Sequence, residues 1–322
     1  MSNIRYRIYY TFWYLLSLLP LRVLYVLSDV AFFFIYRVVR YRLKVVRSNL
    51  RRCFPDKDDA WLRHTERQFY HYFCDYVVET AKMMTMSERQ IRRRMVFTGM
   101  EPVCQALREG QSVGLYLGHV GNWEWLSSIG YWLPEGVVNA HLYHPLEDKV
   151  MDRLFLRLRS RHSSIGIPMK ETMRRLVALR QQGKTCLIGY ISDQGPKWQN
   201  IHHWLTFFGQ QTPVFTGAER IVKGTHQVFA YGDMRRLRRG YYQCEVRIIS
   251  REAHTLPDWQ LTDRYFQELE ATIRRTPHLW LWSHKRWKRT REEFDRRFEV
   301  VNGKVRKKSD KAYPHNSHTP RQ

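Results

Sequence analysis

Residues 112–125 read SVGLYLGHVGNWEW, and the change of periodicity inside this stretch decides the fold class. Ser112 to Leu117 is a short, nearly continuous apolar run closed by Gly118, which fits a strand buried on both faces. From Trp123 to Trp132 the apolar residues return at helical spacing, so the order is strand, turn, helix. Further on the order reverses: Glu171 to Gln181 has helical spacing, Gly183 ends it, and TCLIGYI from Thr185 to Ile191 is again a buried strand. Val228 to Gly232 and Tyr241 to Ile249 add strands, and Asp258 to Arg275 adds a late amphipathic helix. The expected fold is α/β, a mixed central sheet flanked by helices.

Upstream, Asp59 to Met86 carries helical periodicity through Trp61, Phe69, Phe73 and Tyr76. Before it lies an apolar segment, Tyr9 to Tyr36, interrupted by Pro20, Arg22 and Asp29. No uncharged run of about 18 residues exists, so a straight transmembrane helix is not supported. Two shorter runs, Tyr9 to Leu21 and Val23 to Tyr36, predict a kinked span or a helical hairpin lying in the membrane interface. A buried helical pair of a soluble protein is the alternative. Arg37, Arg40, Arg42, Lys44, Arg47, Arg51 and Arg52 follow, with no acid before Asp56, and the positive-inside rule puts the remaining chain on the cytoplasmic face. The expected organisation is an N-terminal membrane anchor with a basic juxtamembrane helix (1–50), one catalytic domain (51–300), and a basic, disordered tail (301–322).

Composition narrows the partners. Lys plus Arg number 54 against 30 acids, a formal charge of +24, which suits anionic lipid headgroups, acidic carrier proteins or nucleic acid. Eleven Trp and 19 Tyr tilt that choice towards a membrane surface and away from nucleic acid. The five cysteines are scattered and form no CxxC pair, so neither a disulfide framework nor a zinc knuckle is expected.

The chemistry concentrates in GHVGNWEW. His119 stands at the end of the predicted strand and Glu124 five residues later, near the start of the next helix. A neutral imidazole takes a proton from an attacking hydroxyl while a neighbouring carboxylate fixes its tautomer, with backbone N–H groups around Gly118 to Asn122 offered to a developing oxyanion. In ISDQGPKWQN, Asp193 and Gln194 fall at the end of another buried strand, where polar groups from adjacent strands converge; DQGP also reads as an ordinary turn. Arg157, Arg159 and Arg161 can bind a phosphate or pair with an acid such as Asp193, or else line a solvated helix face. LWLWSHKRWKR mixes Trp with basic residues, a composition expected of a surface meeting lipid and phosphate.

In this order, the N-terminal anchor, GHVGNWEW, the DQ segment with PVFTGAER behind it, and LWLWSHKRWKR resemble the bacterial lipid A biosynthesis acyltransferases, the lauroyl and myristoyl transferases of the glycerolipid acyltransferase superfamily. That signature is a His and an Asp or Glu separated by four residues, which His119 and Glu124 match. The resemblance implies His119 as general base, Glu124 as its orienting partner, and a site aspartate and arginine. Asp193 fits the first and Arg159 or Arg161 the second, Arg161 being preferred. With Gln194 and Asn122 these complete the candidate substrate-binding set; no metal or cofactor is required. The implied donor is an acyl carrier protein thioester and the implied acceptor a lipid A precursor, at the cytoplasmic face of the cell inner membrane among anionic lipids. A lysophospholipid or amino-acid lipid acceptor is the enzymatic alternative, and a non-catalytic basic membrane-binding protein the other.

Overall fold

The protein is described by a computed structural model over residues 2–301 and 303–308. It opens with α1 (Ser2–Leu18) and α2 (Leu21–Phe32), the latter running on as a π-helical stretch over Phe33–Val38. Pro20 lacks an N–H and fixes its own φ, so the chain breaks before it and the two segments meet at 115°. Next come α3 (Leu43–Cys53) and α4 (Asp59–Lys82). No single helix among the described residues is long and apolar enough to cross a membrane.

Two polar groups of the apolar segment, Ser28 and the Tyr25 hydroxyl, are turned towards α4. Ser28 donates to Asp75 of α4 at 2.7 Å, and Tyr25 donates to Glu79 at 2.9 Å. The carbonyls left open at the end of α1 are capped by Lys82, whose Nζ reaches Ser17 O at 2.8 Å and Leu19 O at 3.0 Å. The opposite side of both helices is apolar and exposed: Ile4, Ile8, Phe12, Leu15 and Leu18 on α1, then Val23, Val26, Leu27 and Val30 on α2.

After α5 (Glu88–Arg94), β1 (Met95–Thr98), α6 (Met100–Arg108) and β2 (Val113–Leu117), the segment Trp125–Trp132 is a 3-10 helix, where regular helical spacing from Trp123 led to an expected α-helix. Its serines give the reason: Ser127 and Ser128 each donate at 2.7 Å to the carbonyl three residues back, competing with the α-helical ladder. Then follow β3 (Val138–Tyr143), α7 (Lys149–Ser160), β4 (Ile165–Pro168), α8 (Thr172–Gln181), β5 (Cys186–Ile191), β6 (His203–Phe207), β7 (Gln210–Val214), α9 (Gly217–Gly224), β8 (Val228–Arg238), β9 (Tyr241–Ser250), α10 (Gln260–Arg275), α11 (Arg291–Arg297), β10 (Phe298–Val301) and β11 (Lys304–Lys307).

Seven strands form the central sheet in the order β1-β9-β8-β2-β5-β3-β4. It is mixed: β8 and β9 are antiparallel, while β8, β2, β5, β3 and β4 run parallel. This is the α/β architecture expected. The central strand β2 is buried at every residue and β5 at four of six, as runs covered by helices on both faces must be. Because β2 and β5 are parallel neighbours, the loops leaving their C-terminal ends open side by side.

One expectation needs correcting here. The tail from 301 is expected from sequence to be disordered, yet Lys304–Lys307 pairs with Phe298–Val301 as an antiparallel hairpin, and Phe294 and Phe298 pack with Trp198 in a small second core. The rest of that tail, 309–322, lies outside the described residues.

Candidate active site

His119 leaves the end of β2 and Asp193 the end of β5, and the two meet. Asp193 Oδ1 lies 2.5 Å from His119 Nδ1, and Oδ2 accepts the His119 backbone N–H at 2.9 Å and the Trp280 indole N–H at 2.8 Å. The carboxylate is 2% exposed and the imidazole 19%. Burial by itself would raise the Asp193 carboxyl, but the adjacent imidazole and the three donors outweigh it and pull it down to about 2. An ionised Asp193 only accepts, so His119 carries its proton on Nδ1 and leaves Nε2 as the basic nitrogen.

The loop that holds the imidazole is pinned from behind. Val120 bridges to Trp280, Gly121 N–H donates to Leu279 O at 3.0 Å, Leu281 N–H donates to His119 O at 3.1 Å, and the Tyr72 hydroxyl donates to Gly121 O at 2.5 Å. LWLWSHKRWKR, expected at a lipid-facing surface, therefore has an inner role: Trp280, Trp282, Trp287 and Arg286 are all buried. Alternating Trp and basic residues look alike whether the rings face lipid or anchor a loop. The N–H groups of His119 and Gly121 are already engaged, so these two of the backbone donors offered to an oxyanion are taken.

Glu124 does not contact His119 in the expected way. Both of its oxygens are taken by Arg159 of α7, which donates from Nε and Nη2 at 2.7 Å each, a bidentate pair. Glu124 is 3% exposed and Arg159 24%. Burial raises the Glu124 carboxyl, and the Arg159 guanidinium more than reverses that, holding it below the usual carboxylate range. Glu124 therefore makes no hydrogen bond to the His119 ring, and the acid that meets the imidazole is Asp193.

His119, Glu124, Arg159 and Gln194 all line one cavity of about 1090 Å³. Its remaining wall is largely apolar, with Leu115 and Leu117 from β2, Leu142 from β3, Phe155 from α7 and Ile221 from α9. Of the two arginines offered for the site, Arg159 is in it, whereas the preferred Arg161 is exposed beyond the end of α7 and does not line the cavity. Arg157 instead lies over the Tyr10 ring of α1 at 4.5 Å. Asn122, expected to touch substrate, is fully buried: its amide donates to Glu79 at 2.9 Å and accepts the Trp125 N–H at 3.2 Å. It shapes the turn after His119 from below.

Sequence reasoning missed Trp280, Tyr72 and Glu79 as supports of the site. The signal for Trp280 was present, since an indole needs an acceptor when buried and Asp193 is a buried acceptor. Tyr72 and Glu79 sit on one helix face among apolar residues, with nothing in the chain to say what they meet.

A buried Asp–His pair opening onto an apolar cavity is suited to activating a hydroxyl next to a hydrocarbon chain. The profile of the family described as bacterial lipid A biosynthesis acyltransferase matches residues 2–289. The chain belongs to that family. It is an acyltransferase of lipid A synthesis, with a lipid A precursor as acceptor and an acyl donor. No curated protein matches the chain. A lipid A acyltransferase has to bring an alcohol and an acyl chain together, and this cavity is lined both by an imidazole and by apolar side chains.

Proposed function

We propose that this acyltransferase moves a fatty acyl chain from an acyl carrier protein thioester to a hydroxyl of the lipid A precursor, with His119 as general base. His119 Nε2 accepts the proton of the acceptor hydroxyl as its oxygen attacks the thioester carbonyl. Asp193 holds the ring in the tautomer that leaves Nε2 free and stabilises the imidazolium that forms. Collapse of the tetrahedral intermediate breaks the carbon–sulfur bond, and the imidazolium returns the proton to the departing thiolate. Glu124 and Arg159 act together: the carboxylate holds the guanidinium at the wall of the cavity near the reacting carbonyl. Gln194 follows Asp193 in the chain, lines the cavity and makes no hydrogen bond among the described residues, so its amide is free for the developing oxyanion or the sugar.

The observation that carries this reading is the 2.5 Å contact between His119 Nδ1 and a buried, ionised Asp193 at the mouth of an apolar cavity. A net charge of +24 favours an acidic carrier as donor over a neutral one, by steering its approach at low salt. We place the protein on the cytoplasmic face of the inner membrane, with α1 and α2 lying in the interface: their inner faces are occupied by α4 and α7, and their outer faces are apolar. Arg37, Arg40 and Lys44, which have no acidic partner among the described residues, are then available to anionic headgroups.

The test is a purified-protein assay with carrier-protein and coenzyme A thioesters and a lipid A precursor or a lysophospholipid, product read by mass. Transfer from carrier thioester to the lipid A precursor, lost in His119→Ala by roughly 10²-fold or more, is expected. Equal product from wild type and His119→Ala would overturn the base assignment, and transfer only to the lysophospholipid would overturn the acceptor.

A further inference from the structure

The floor of the cavity is made by one face of the sheet, and one position on that floor has no side chain. Register pairs Gly189 of β5 with Leu115 of β2 on one side and with His141 of β3 on the other. Leu115, Leu117, Leu187 and Ile191 line the cavity around it, and so does Gly189 itself. A glycine inside a central strand weakens that strand, and it persists there for a backbone, packing or ligand reason.

The first two reasons are absent. Gly189 is not among the residues with positive φ, so its backbone suits any L residue. A Cβ built on it would meet nothing closer than Ala140 O and Leu117 Cδ1 at 3.8 Å and His141 Cβ at 3.9 Å, which are ordinary contacts. Gly114 on the neighbouring strand shows the contrast: a Cβ there would lie 2.8 Å from Val222 Cγ2 and 2.9 Å from Gln227 Oε1, so packing alone demands glycine. At Gly189 the missing side chain leaves room in the cavity and nowhere else.

We propose that Gly189 is a specificity-determining residue that sets the acyl chain length, by leaving the cavity floor open where a larger residue would close it. This rests on the reading of the cavity as the acyl-chain site. Leu115, its register partner, precedes His119 by four residues, which is roughly 13 Å along the strand direction. A side chain at 189 would therefore meet the distal part of the chain and leave the reacting end alone. The wall there carries no charge, since the His141 imidazole is pushed down to about 4 by burial and the nearby Arg159, and its Nδ1 is 2.9 Å from Ser164 Oγ.

The experiment compares wild type with Gly189→Ala, Gly189→Val and Gly189→Leu on a series of carrier thioesters of graded acyl length, with kcat/KM for each length and a melting curve for each protein. Expected are melting temperatures at or above wild type for Ala and Val and turnover of the shortest donors as in wild type. The preferred chain should shorten progressively, by roughly two to four carbons for Leu, in line with the volume added. An unchanged length profile, or an equal loss at every length in a folded variant, overturns the proposal; if Leu does not fold, the Ala and Val profiles decide. A wild-type protein that transfers no chain of any length would instead strike the donor assignment, before any variant is considered.

Discussion

Asp193 grips His119 twice, its Oδ1 at 2.5 Å from the ring Nδ1 and its Oδ2 receiving the backbone N–H of the same residue at 2.9 Å. One carboxylate thus fixes both the rotamer of the imidazole and the turn that carries it. Trp280 adds a third donor at 2.8 Å, and its strand-like bridge to Val120 ties the whole assembly to the chain after α10.

Asp193→Asn should therefore be the most damaging conservative change at the site. An amide can offer its NH2 to Nδ1, which shifts the ring proton to Nε2 and removes the basic nitrogen from the substrate side. A kcat reduced by roughly 10²–10⁴ with little change in KM is expected, read from steady-state kinetics. Glu124→Gln should lower kcat less than Asp193→Asn does; the reverse order would return the orienting role to Glu124.

The Glu124–Arg159 pair is a different kind of element, and its effect should appear in stability. Glu124→Ala leaves a largely buried guanidinium without its partner, at a cost approaching the ~3–5 kcal/mol of a broken buried pair. Glu124→Leu with Arg159→Met removes both charges and should recover most of that loss. Urea unfolding of the singles and the double gives the coupling energy, and additive losses would show that the pair is not energetically linked.

How far these relations could be read in advance follows from their range in sequence. The strand and turn around His119 were legible because β2 is buried on both faces and its apolar run ends at Gly118. The placing of Asp193 at the end of a neighbouring strand was legible for the same reason. Which acid meets the imidazole was not. Glu124 is near in sequence, but its carboxylate is held by Arg159 of α7, 35 residues on. Asp29 reads as a defect in an anchor, and only the arrival of Arg239 from a distant part of the chain explains it.

Stability should fall as pH drops from about 6.5 to 4. Burial pushes the imidazoles of His141, His162 and His284 each down to about 4, so they stay neutral in the folded protein while the unfolded chain takes up protons below about 6.5. The loss grows through that window and levels off below the folded values. Asp193 acts in the same direction at lower pH: its depressed pKa contributes stability present above about 4 and lost as pH falls towards 2. Urea midpoints measured from pH 8 to 4 should decline with a slope of more than one proton, and His162→Gln should flatten it; a midpoint flat across that range would contradict neutral buried histidines.

The two faces of the N-terminal hairpin should separate cleanly by mutation. On the inner face, Asp75 accepts from Ser28 at 2.7 Å, from Arg236 at 2.7 Å and from Arg239 at 2.6 Å, and Arg239 reaches on to Asp29 at 2.6 Å, so one 3%-exposed carboxylate holds α2, α4 and the β8–β9 hairpin together. Asp75→Ala would strand Arg236, leave Arg239 with Asp29 alone, and is expected to cost several kcal/mol, on the scale of ~3–5 for a broken buried network, with a lower melting temperature in the absence of any lipid. On the outer face, Phe12 is 61% and Val26 62% exposed and neither supports the fold. Phe12→Asp with Val26→Asp should leave the melting temperature within a degree or two, since surface changes fall within about ±0.5 kcal/mol, while weakening partition onto anionic vesicles by about tenfold or more. Flotation with vesicles of zwitterionic and anionic composition measures the second effect and scanning calorimetry the first. Undiminished flotation of the double aspartate variant would mean that the hairpin does not lie in the interface, and that the apolar stripe covers something other than lipid.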